Sequence, residues 1–432
     1  MAGIVVSDET TAPALQRGGW LANTFEAFRI PTYRVIWIGT ILAFTAFNIS
    51  MTAQGVVAYD LTGSNRAVGT VLFGQGVAML FLNPFGGAIA DRLSKRLLML
   101  IAQSVIGGVA LATAVLILAD MISIPFLAAG AFVVGSMFAF LGPTRTALLG
   151  EYVAAERMGN AMALIQVGGN FARISGPFIA GALLAWPLVG AAGTYFFIAG
   201  IFIFVLATIY QIPPSKVKLR SSGSSVMGDV KAGFRHIYEN PRLLHAITSF
   251  HIVTVIGVSY IVIMPGFAID TLQAGTGGVG ALLGVAAAGG LVTSIIVAGL
   301  ADSKKAPLYL SVMSFCFGVA LFFTGFAPTL PFALVGMGFV GAASSAFQTL
   351  NNVVALRFTQ PAFFGRVVGL MFLAWGLNSL ATLPVGYLAD VLGERTMLSA
   401  LGAALCVVSV ALGVWGRVVN TKVAREAGAV GT

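Results

Sequence analysis

Long apolar stretches separated by short polar segments dominate the chain. Each stretch reaches about 18 residues or more, which is enough for a helix to cross the hydrocarbon core of a bilayer. Their apolar residues follow one another without period-two alternation, so the pattern favours helices over a closed β-barrel. The pattern predicts twelve transmembrane helices, near residues 35–57, 67–90, 97–119, 123–147, 160–185, 190–211, 244–268, 277–300, 307–327, 330–356, 363–389 and 396–418.

One long polar segment, residues 212–243, interrupts this pattern between the sixth and seventh predicted helices. Within it, the apolar residues of 226–238 have helical spacing. Two interpretations fit this spacing, a helix on the membrane surface or a flexible linker. The sequence predicts five regions: a cytoplasmic segment 1–34, a six-helix bundle 35–211, a cytoplasmic linker 212–243, a second six-helix bundle 244–418 and a cytoplasmic tail 419–432.

The composition places the chain in a membrane. It is 58% hydrophobic and 9% charged, with a mean hydropathy of +0.95. Soluble domains are about 25% charged, because their surfaces face water. The predicted fold class is therefore an all-α integral membrane protein.

The basic residues predict the orientation in the membrane. If the twelve spans cross the membrane in alternating directions, 21 of the 24 lysines and arginines lie on the same side as the N-terminus. The exceptions are Arg66, Arg173 and Arg395. By the positive-inside rule both termini are cytoplasmic, in a multi-pass protein of the inner (plasma) membrane. This distribution explains the net charge of +9. The basic residues are not interleaved with aromatic ones, so we expect no nucleic-acid partner.

The residues that usually build catalytic or metal sites are scarce. The two cysteines and three histidines have no metal-ligand spacing, and no Ser/His/Asp or Cys/His set can be assembled. The sequence also lacks the phosphate-binding loop that drives ATPases. We therefore expect no enzyme activity, no metal and no cofactor, and an ion gradient as the energy source.

The most densely charged loop joins the second and third predicted helices. It contains Gly87, Asp91, Arg92, Lys95 and Arg96. Asp91 can accept hydrogen bonds from the N-terminus of a neighbouring helix, where the helix dipole favours an anion. The three cations suit the anionic inner leaflet. The loop is interpreted either as a cytoplasmic latch between the two bundles or as a loop that only sets the topology.

The spacing G-x-x-x-D-R-x-x-K-R of this loop resembles the signature loop of the major facilitator superfamily. The resemblance is to its drug:proton antiporter branch, which contains macrolide efflux pumps and the enterobactin exporter. Further segments that resemble this branch are 33–37, 59–64 and 143–145. Gly176, Pro177 and Gly181 resemble the helix-bending motif of the superfamily's exporters. The resemblance implies the major facilitator fold, two six-helix bundles around a central cavity.

In that fold spans 1, 4, 7 and 10 line the cavity. Arg173 and its neighbour Asn170 lie within span 5, where a charge is costly unless it faces the protein interior or water. The candidate cavity residues are Asn48, Gln54, Arg145, Asn170, Arg173, His251, Tyr260, Gln348, Asn351 and Asn352. Alternative roles remain open: Arg173 and His251 as packing residues, and Arg145 as a partner of Asp91 or Glu151.

The resemblance implies proton coupling, yet all fifteen acidic residues fall in loops, tails or span ends. Proton-coupled pumps commonly carry the proton on a buried carboxylate. The candidate carriers are Asp60, Asp91 and His251.

Two further features concern packing. Glycine is abundant, with 53 residues, and small residues allow close helix contact in lipid. The helix-contact glycines expected are Gly74, Gly76, Gly284, Gly289 and Gly290. At the outer end of span 11, Gly386, Asp390, Gly393 and Arg395 repeat the G-x-x-x-D spacing, and we expect them to pack the outer side.

The predicted activity is export of a bulky amphipathic small molecule, a drug, macrolide or siderophore-like compound, by a monomer in the bilayer. Rocking of the two bundles would expose the site alternately to each side, with proton exchange as the drive. The alternatives are a lipid or lysolipid transporter or a nutrient importer of the same fold. A membrane sensor would need a signalling domain, and the linker is too short for one.

Overall fold

The computed structural model describes residues 25–92, 94–213, 226–298, 306–360 and 363–429. Within these residues the secondary structure is helical, without strands. The long helices are α1 Pro31–Asp60, α2 Asn65–Arg92, α3 Lys95–Leu118, α4 Ile124–Tyr152, α5 Ala155–Ala185, α6 Gly190–Gln211, α7 Val226–Glu239, α8 Pro241–Gly257, α9 Gly275–Ala298, α10 Ala306–Gly325, α11 Leu330–Arg357, α12 Phe364–Leu392 and α13 Glu394–Ala429.

Eleven helices of the described chain are long and apolar enough to cross a membrane. The remaining predicted span is α5, which has 31 residues and is therefore long enough. It is less apolar because it carries Gln166, Asn170 and Arg173 in its middle. The shortest of the long helices, α7, has 14 residues and lies between α6 and α8.

The helices form two halves with the same packing pattern, α1–α6 and α8–α13. In the first half α1 packs on α5, α2 on α4 and α3 on α6. In the second half the corresponding pairs are α8 with α12, α9 with α11 and α10 with α13. The fold is therefore two related six-helix bundles, as the resemblance implied. We call the end where α1 begins the terminus face and the end where α1 passes to α2 the far face.

Close helix contacts through glycine are confirmed at the predicted positions. A Cβ atom at Gly74 would lie 2.5 Å from the Ala128 carbonyl oxygen, and one at Gly76 would overlap Ser379. In the second half a Cβ at Gly289 would overlap the carbonyl oxygen of Gly338. Gly284 and Gly290 are similarly close to Phe178 and Ser345.

The seventh span is not the continuous helix that the apolar pattern predicts. After Gly257 the chain tightens into a 3₁₀ turn at Val258–Val262, and after Pro265 it widens into a π turn at Phe267–Thr271. Asn378 of α12 stabilises this break. Its Nδ2 lies 3.3 Å from the carbonyl oxygens of Thr254 and Val255 and 3.0 Å from Ser259 Oγ.

The linker segment forms a helix, α7, as one of the two alternatives predicted. Gly233 and Ile237 of α7 are buried, and the His236 ring stacks on Phe363 with 4.2 Å between centroids. The side chains of Phe234 and Tyr238 are exposed. The linker helix is thus fixed against the start of α12.

Candidate functional site

A polar stripe runs along one face of α5. Gln166, Asn170 and Arg173 recur every three or four residues, which places them on one side of the helix. Pro177 and Gly181 continue the same face toward the far face, and there they contact Gly280 of α9. Since α9 belongs to the other half, the stripe faces the gap between the two halves.

Arg173 is the charged member of the α5 stripe. Its side chain is exposed, and it takes part in none of the ion pairs within the described residues. An unpaired guanidinium in a membrane span needs water or a polar partner. Facing the gap, Arg173 can bind an acidic or carbonyl group of a bound molecule.

Asn48 of α1 borders the α5 stripe. A Cβ at Gly176 of α5 would overlap the Asn48 side chain, so the two helices touch there. The Asn48 Nδ2 donates a hydrogen bond to the Phe44 carbonyl at 2.8 Å, and the side chain is partly exposed. Asn48 lies about one helical turn from Arg173 along α5.

Two other candidates, Gln54 and Arg145, lie inside the first half and away from the gap. Gln54 is 6% exposed and lines a small cavity with Thr113 and Tyr195. Arg145 is 8% exposed, with its guanidinium carbon 4.5 Å from the centroid of the Phe44 ring. Neither side chain is placed to meet a molecule between the halves.

Arg145 lines a second small cavity inside the first half, together with Thr40 and Gln103. The Arg145 Nε, Thr40 Oγ1 and Gln103 Oε1 atoms are buried without hydrogen-bond partners. Glu151, the partner that the sequence left open for Arg145, is bound by Lys95 at 2.6 Å.

The candidates on α8 and α11 divide between packing and exposed positions. Asn351 is fully buried and donates a hydrogen bond from Nδ2 to the Ala246 carbonyl at 3.1 Å, so it joins α11 to α8. The neighbouring Asn352 is exposed, and Gln348 is partly exposed. On α8, His251 is partly exposed, with Nδ1 2.8 Å from the Ile247 carbonyl oxygen.

Tyr260, the remaining candidate from the seventh span, is 8% exposed. It lies in the 3₁₀ turn after α8. The Asn378 amide contacts the same turn through Ser259.

Asn378 and Gln166 were not among the residues predicted from the sequence. For Gln166 a signal was available, namely its helical spacing with Asn170 and Arg173.

The two halves meet toward the far face along three helix pairs. Tyr59 of α1 donates a hydrogen bond to Asp270 at 2.5 Å between Oη and Oδ2. Gly280 of α9 packs on α5 as described above. Between α2 and α12, contact runs from the ends of the helices to the pair Leu80 and Gly376, where a Cβ would lie 2.9 Å from the Leu80 Cβ.

At the far face, Asp390 of α12 bridges to the start of α2. Its Oδ1 accepts from the Asn65 backbone N–H at 2.7 Å. Its Oδ2 accepts from the Arg66 backbone N–H at 3.0 Å and from Ser64 Oγ at 2.5 Å. The expected packing role of Gly386 is also visible, since a Cβ there would lie 2.5 Å from the Asn65 carbonyl oxygen.

The neighbouring Gly393 and Arg395 complete the far-face segment. Gly393 joins α12 to α13 with φ +83°, a left-handed conformation that favours glycine. Arg395 Nη1 donates to the Ala327 carbonyl at 2.7 Å, which ties α13 to the loop after α10. These contacts fix the end of α12 that carries Asp390.

A sequence model of the Major Facilitator Superfamily matches residues 36–380, which is most of the chain. The chain belongs to the Major Facilitator Superfamily. Transport of small molecules across a membrane, rather than catalysis, is the general activity of this superfamily.

Curated relatives within the superfamily include an exporter. The enterobactin exporter EntS of Shigella flexneri is 24% identical over 366 residues, which cover 82% of this chain and 84% of EntS. EntS of Escherichia coli O1:K1 / APEC has the same identity and coverage.

Solved structures of transporters share the fold over 90% of this chain. A bacterial homologue of the human lysosomal transporter Spinster, in an inward-facing and unoccupied conformation, has a TM-score of 0.73 at 14% identity, over 97% of its own chain. The nucleoside transporter NupG has a TM-score of 0.69 at 13% identity, over 98% of its chain.

The superfamily signature loop is partly visible. Lys95 pairs with Glu151 of α4, and Arg96 donates from Nη2 to the Tyr210 carbonyl of α6 at 2.6 Å. Two of the three cations that we expected at the lipid surface, Lys95 and Arg96, therefore bind groups of their own half. The side chains of Asp91 and Arg92, and any contact of Gly87, lie outside the described residues.

The candidate proton carriers are separated along the membrane-spanning region. Asp60 is exposed at the far-face end of α1, and His251 lies in the middle of α8. The Asp91 side chain lies outside the described residues. Of the candidates whose side chains are described, Asp60 and His251 are therefore not brought together.

Proposed function

We propose that this chain is a secondary active transporter that exports a bulky amphipathic small molecule in exchange for protons. It would act as a monomer in the inner (plasma) membrane. The positive-inside rule supports a cytoplasmic terminus face, because the basic residues lie mainly in the segments at that face. The far face is then the outer face.

The observation that carries this proposal is the α5 polar stripe in the gap between the halves. Gln166 and Asn170 can exchange hydrogen bonds with carbonyl or hydroxyl groups, and Arg173 can bind an acidic group. The surrounding helices are apolar, so they suit the hydrocarbon or aromatic part of the same molecule. This combination fits an amphipathic substrate with an acidic or carbonyl-rich region.

Two features support export. The relatives named above are enterobactin exporters, which favours a siderophore-like substrate among the amphipathic candidates. Pro177 lies inside α5, and Gly181 follows it where α5 contacts α9. Proline removes a backbone hydrogen bond and so eases bending, which suits a helix that changes its packing partner when the halves rock.

Alternating access is supported by the uneven contact between the halves. The described contacts join α1, α2 and α5 to the second half toward the far face, which corresponds to a transporter closed on the outer side. In the opposite state the cytoplasmic side would close, and in the proposed orientation the 87–96 loop would lie on that side. We propose that Asp91 stabilises that state.

Everted membrane vesicles test this function, because their cytoplasmic face is accessible. We expect gradient-dependent uptake of at least one siderophore, macrolide or dye, and loss of uptake when the proton gradient is collapsed. Arg173→Gln should weaken apparent affinity for an acidic substrate about tenfold, which corresponds to one lost charge-assisted hydrogen bond. Arg173→Lys should retain part of the affinity for an acidic substrate.

Arg235→Gln is the matched control, since Arg235 is exposed on α7 and pairs with Glu239 at 2.7 Å. It should leave the affinity unchanged. Uptake that ignores the gradient for every compound would contradict proton coupling. Uptake found only in right-side-out vesicles would instead identify an importer.

A further inference from the structure

We propose that Asp390 is the positioning residue of a latch that holds α2 against α12 on the outer side. The proposal rests on the function above for its orientation and for the existence of two states. Within it, Asp390 selects the outer-closed state, and releasing it is required before the substrate can leave.

The geometry of Asp390 is that of a helix cap supplied by another helix. The first backbone N–H groups of a helix have no partner within that helix, and the helix dipole favours an anion near them. Both oxygens of Asp390 are used, one by Asn65 N–H and the other by Arg66 N–H and Ser64 Oγ. Since Asp390 is in the second half and α2 in the first, the cap exists only while the halves touch.

Neighbouring groups hold the end of α12 and the start of α2 within hydrogen-bond distance. Glu394 accepts from Asn65 Nδ2 at 3.0 Å and from Thr271 Oγ1 at 3.2 Å, so it joins α13, α2 and the turn after α8. A Cβ at Gly386 would lie 2.5 Å from the Asn65 carbonyl oxygen, and one at Gly266 would lie 2.7 Å from Glu394 Oε1. Side chains at those two glycines would separate the helices and lengthen the Asp390 contacts.

The sequence places a second carboxylate in the reciprocal position. α2 and α12 run in opposite directions, so the end of α12 lies beside the start of α2 at the far face, while the end of α2 and the start of α12 both lie at the terminus face. Gly386 and Asp390 end α12 with the same G-x-x-x-D spacing as Gly87 and Asp91 at the end of α2. Asp390 caps α2 on the outer side, and by this spacing we expect Asp91 to cap α12 on the cytoplasmic side in the opposite state.

This reciprocity explains why one helix pair can serve both states. When Asp390 is engaged, the outer ends of α2 and α12 are held together. Tilting the pair the other way would break that cap and bring Asp91 toward the start of α12. Each state is thus stabilised by an anion at a helix N-terminus, on opposite sides of the membrane.

Distance measurements between spin labels test the latch in the full chain in nanodiscs. Labels at Leu188→Cys and Thr329→Cys lie in exposed far-face loops of different halves, with Cys316 and Cys406 replaced by Ala. Asp390→Asn keeps the shape but removes the charge and one acceptor. The ratio of outer-open to outer-closed molecules should rise about tenfold.

Ser64→Ala removes a single donor and retains Asp390, so it should raise the same ratio about threefold. It also carries the test if Asp390→Asn does not fold. Asp120→Asn is the matched control, because Asp120 is an exposed far-face carboxylate within the first half, and it should leave the distances unchanged.

Distance distributions of Asp390→Asn and Ser64→Ala that match the wild type would overturn the latch. This readout requires no substrate, so it is independent of the vesicle assay. Gradient-driven uptake with unchanged distances would refute the latch alone. Shifted distances without any gradient-driven uptake would support the latch and refute the proposed coupling.

Discussion

Two arginines in the membrane-spanning part of the chain lie in very different surroundings. Arg145 is enclosed within the first half beneath the Phe44 ring, whereas Arg173 is exposed at the gap between the halves. Both were predicted cavity residues, since the sequence shows only that a charge occurs in a span. Which side of a helix faces the gap depends on packing across the halves, and only the α5–α9 contact reveals it.

Asn351 and Asn352 show the same distinction at adjacent positions. The sequence offers two equivalent amides, but only one of them is buried and bonded to the Ala246 carbonyl. Successive helical residues point about 100° apart, so neighbours in the sequence face different surroundings.

We predict that Asn351→Ala destabilises the protein, while Asn352→Ala does not. The first change removes a buried hydrogen bond and leaves a small cavity, at a cost of about 1–2 kcal/mol. The second removes an exposed amide. Thermal unfolding of the two variants in the same detergent measures the difference. Equal melting temperatures would contradict the packing role given to Asn351.

Among the predicted spans, α5 and α8 differ from the expected continuous apolar helix. The α5 stripe lowers the apolarity of a helix that the sequence predicts as a span and that is long enough to be one. Pro265 is a local signal for an interruption of the seventh span, because proline cannot continue the hydrogen-bond ladder of a helix. The start of the break after Gly257 could not be predicted, because the carbonyl groups of Thr254 and Val255 are bonded by Asn378, a residue more than a hundred positions later. Such a partner is not visible in local propensity.

Close contact between α9 and α11 depends on Gly341, because glycine has no side chain. A Cβ at Gly341 would overlap the Ala286 carbonyl oxygen, whereas one at Gly338 would lie 3.6 Å from Val285 Cγ1, an ordinary contact. We predict that Gly341→Ala destabilises the second half by about 1–3 kcal/mol through overpacking. Gly338→Ala should be tolerated. Thermal unfolding compares them, and a stable Gly341→Ala protein would show that the two helices can separate at little cost.

At the scale of the whole molecule, the two-bundle architecture could be predicted from the repeated apolar spans and the signature loop. Its internal repetition is clearer in space than in sequence, because corresponding helix pairs pack alike in both halves. The side on which the gap between the halves is closed could not be predicted. Closure at the far face depends on many contacts between the halves, such as Tyr59 with Asp270 and Asp390 with α2.

The proposed orientation is tested with reporter tags after Gly63 and after Gly393, two positions on the far face. Both tags should report from outside the cytoplasm, because the basic segments lie at the other face. A tag in the 212–243 linker should report from the cytoplasm and serves as the internal reference. Cytoplasmic signals from both far-face tags would reverse the orientation.

Turnover provides the test of the cytoplasmic latch. Asp91→Ala should slow transport more than it weakens substrate binding, because the residue is proposed to stabilise one state of the cycle and not to touch the substrate. Initial rates in vesicles and equilibrium binding to purified protein separate the two effects. Normal rates in a normally expressed variant would remove the latch role of Asp91.

The polar face of α5 also has a consequence for how the protein is made. α5 leaves the ribosome before α9, so Gln166, Asn170 and Arg173 enter the bilayer when α1 is present but the partner from the second half is not. Insertion machinery transfers such a segment to lipid less readily than its apolar neighbours. We expect α5 to remain beside the translocon until later helices emerge, which would couple the biogenesis of the two halves.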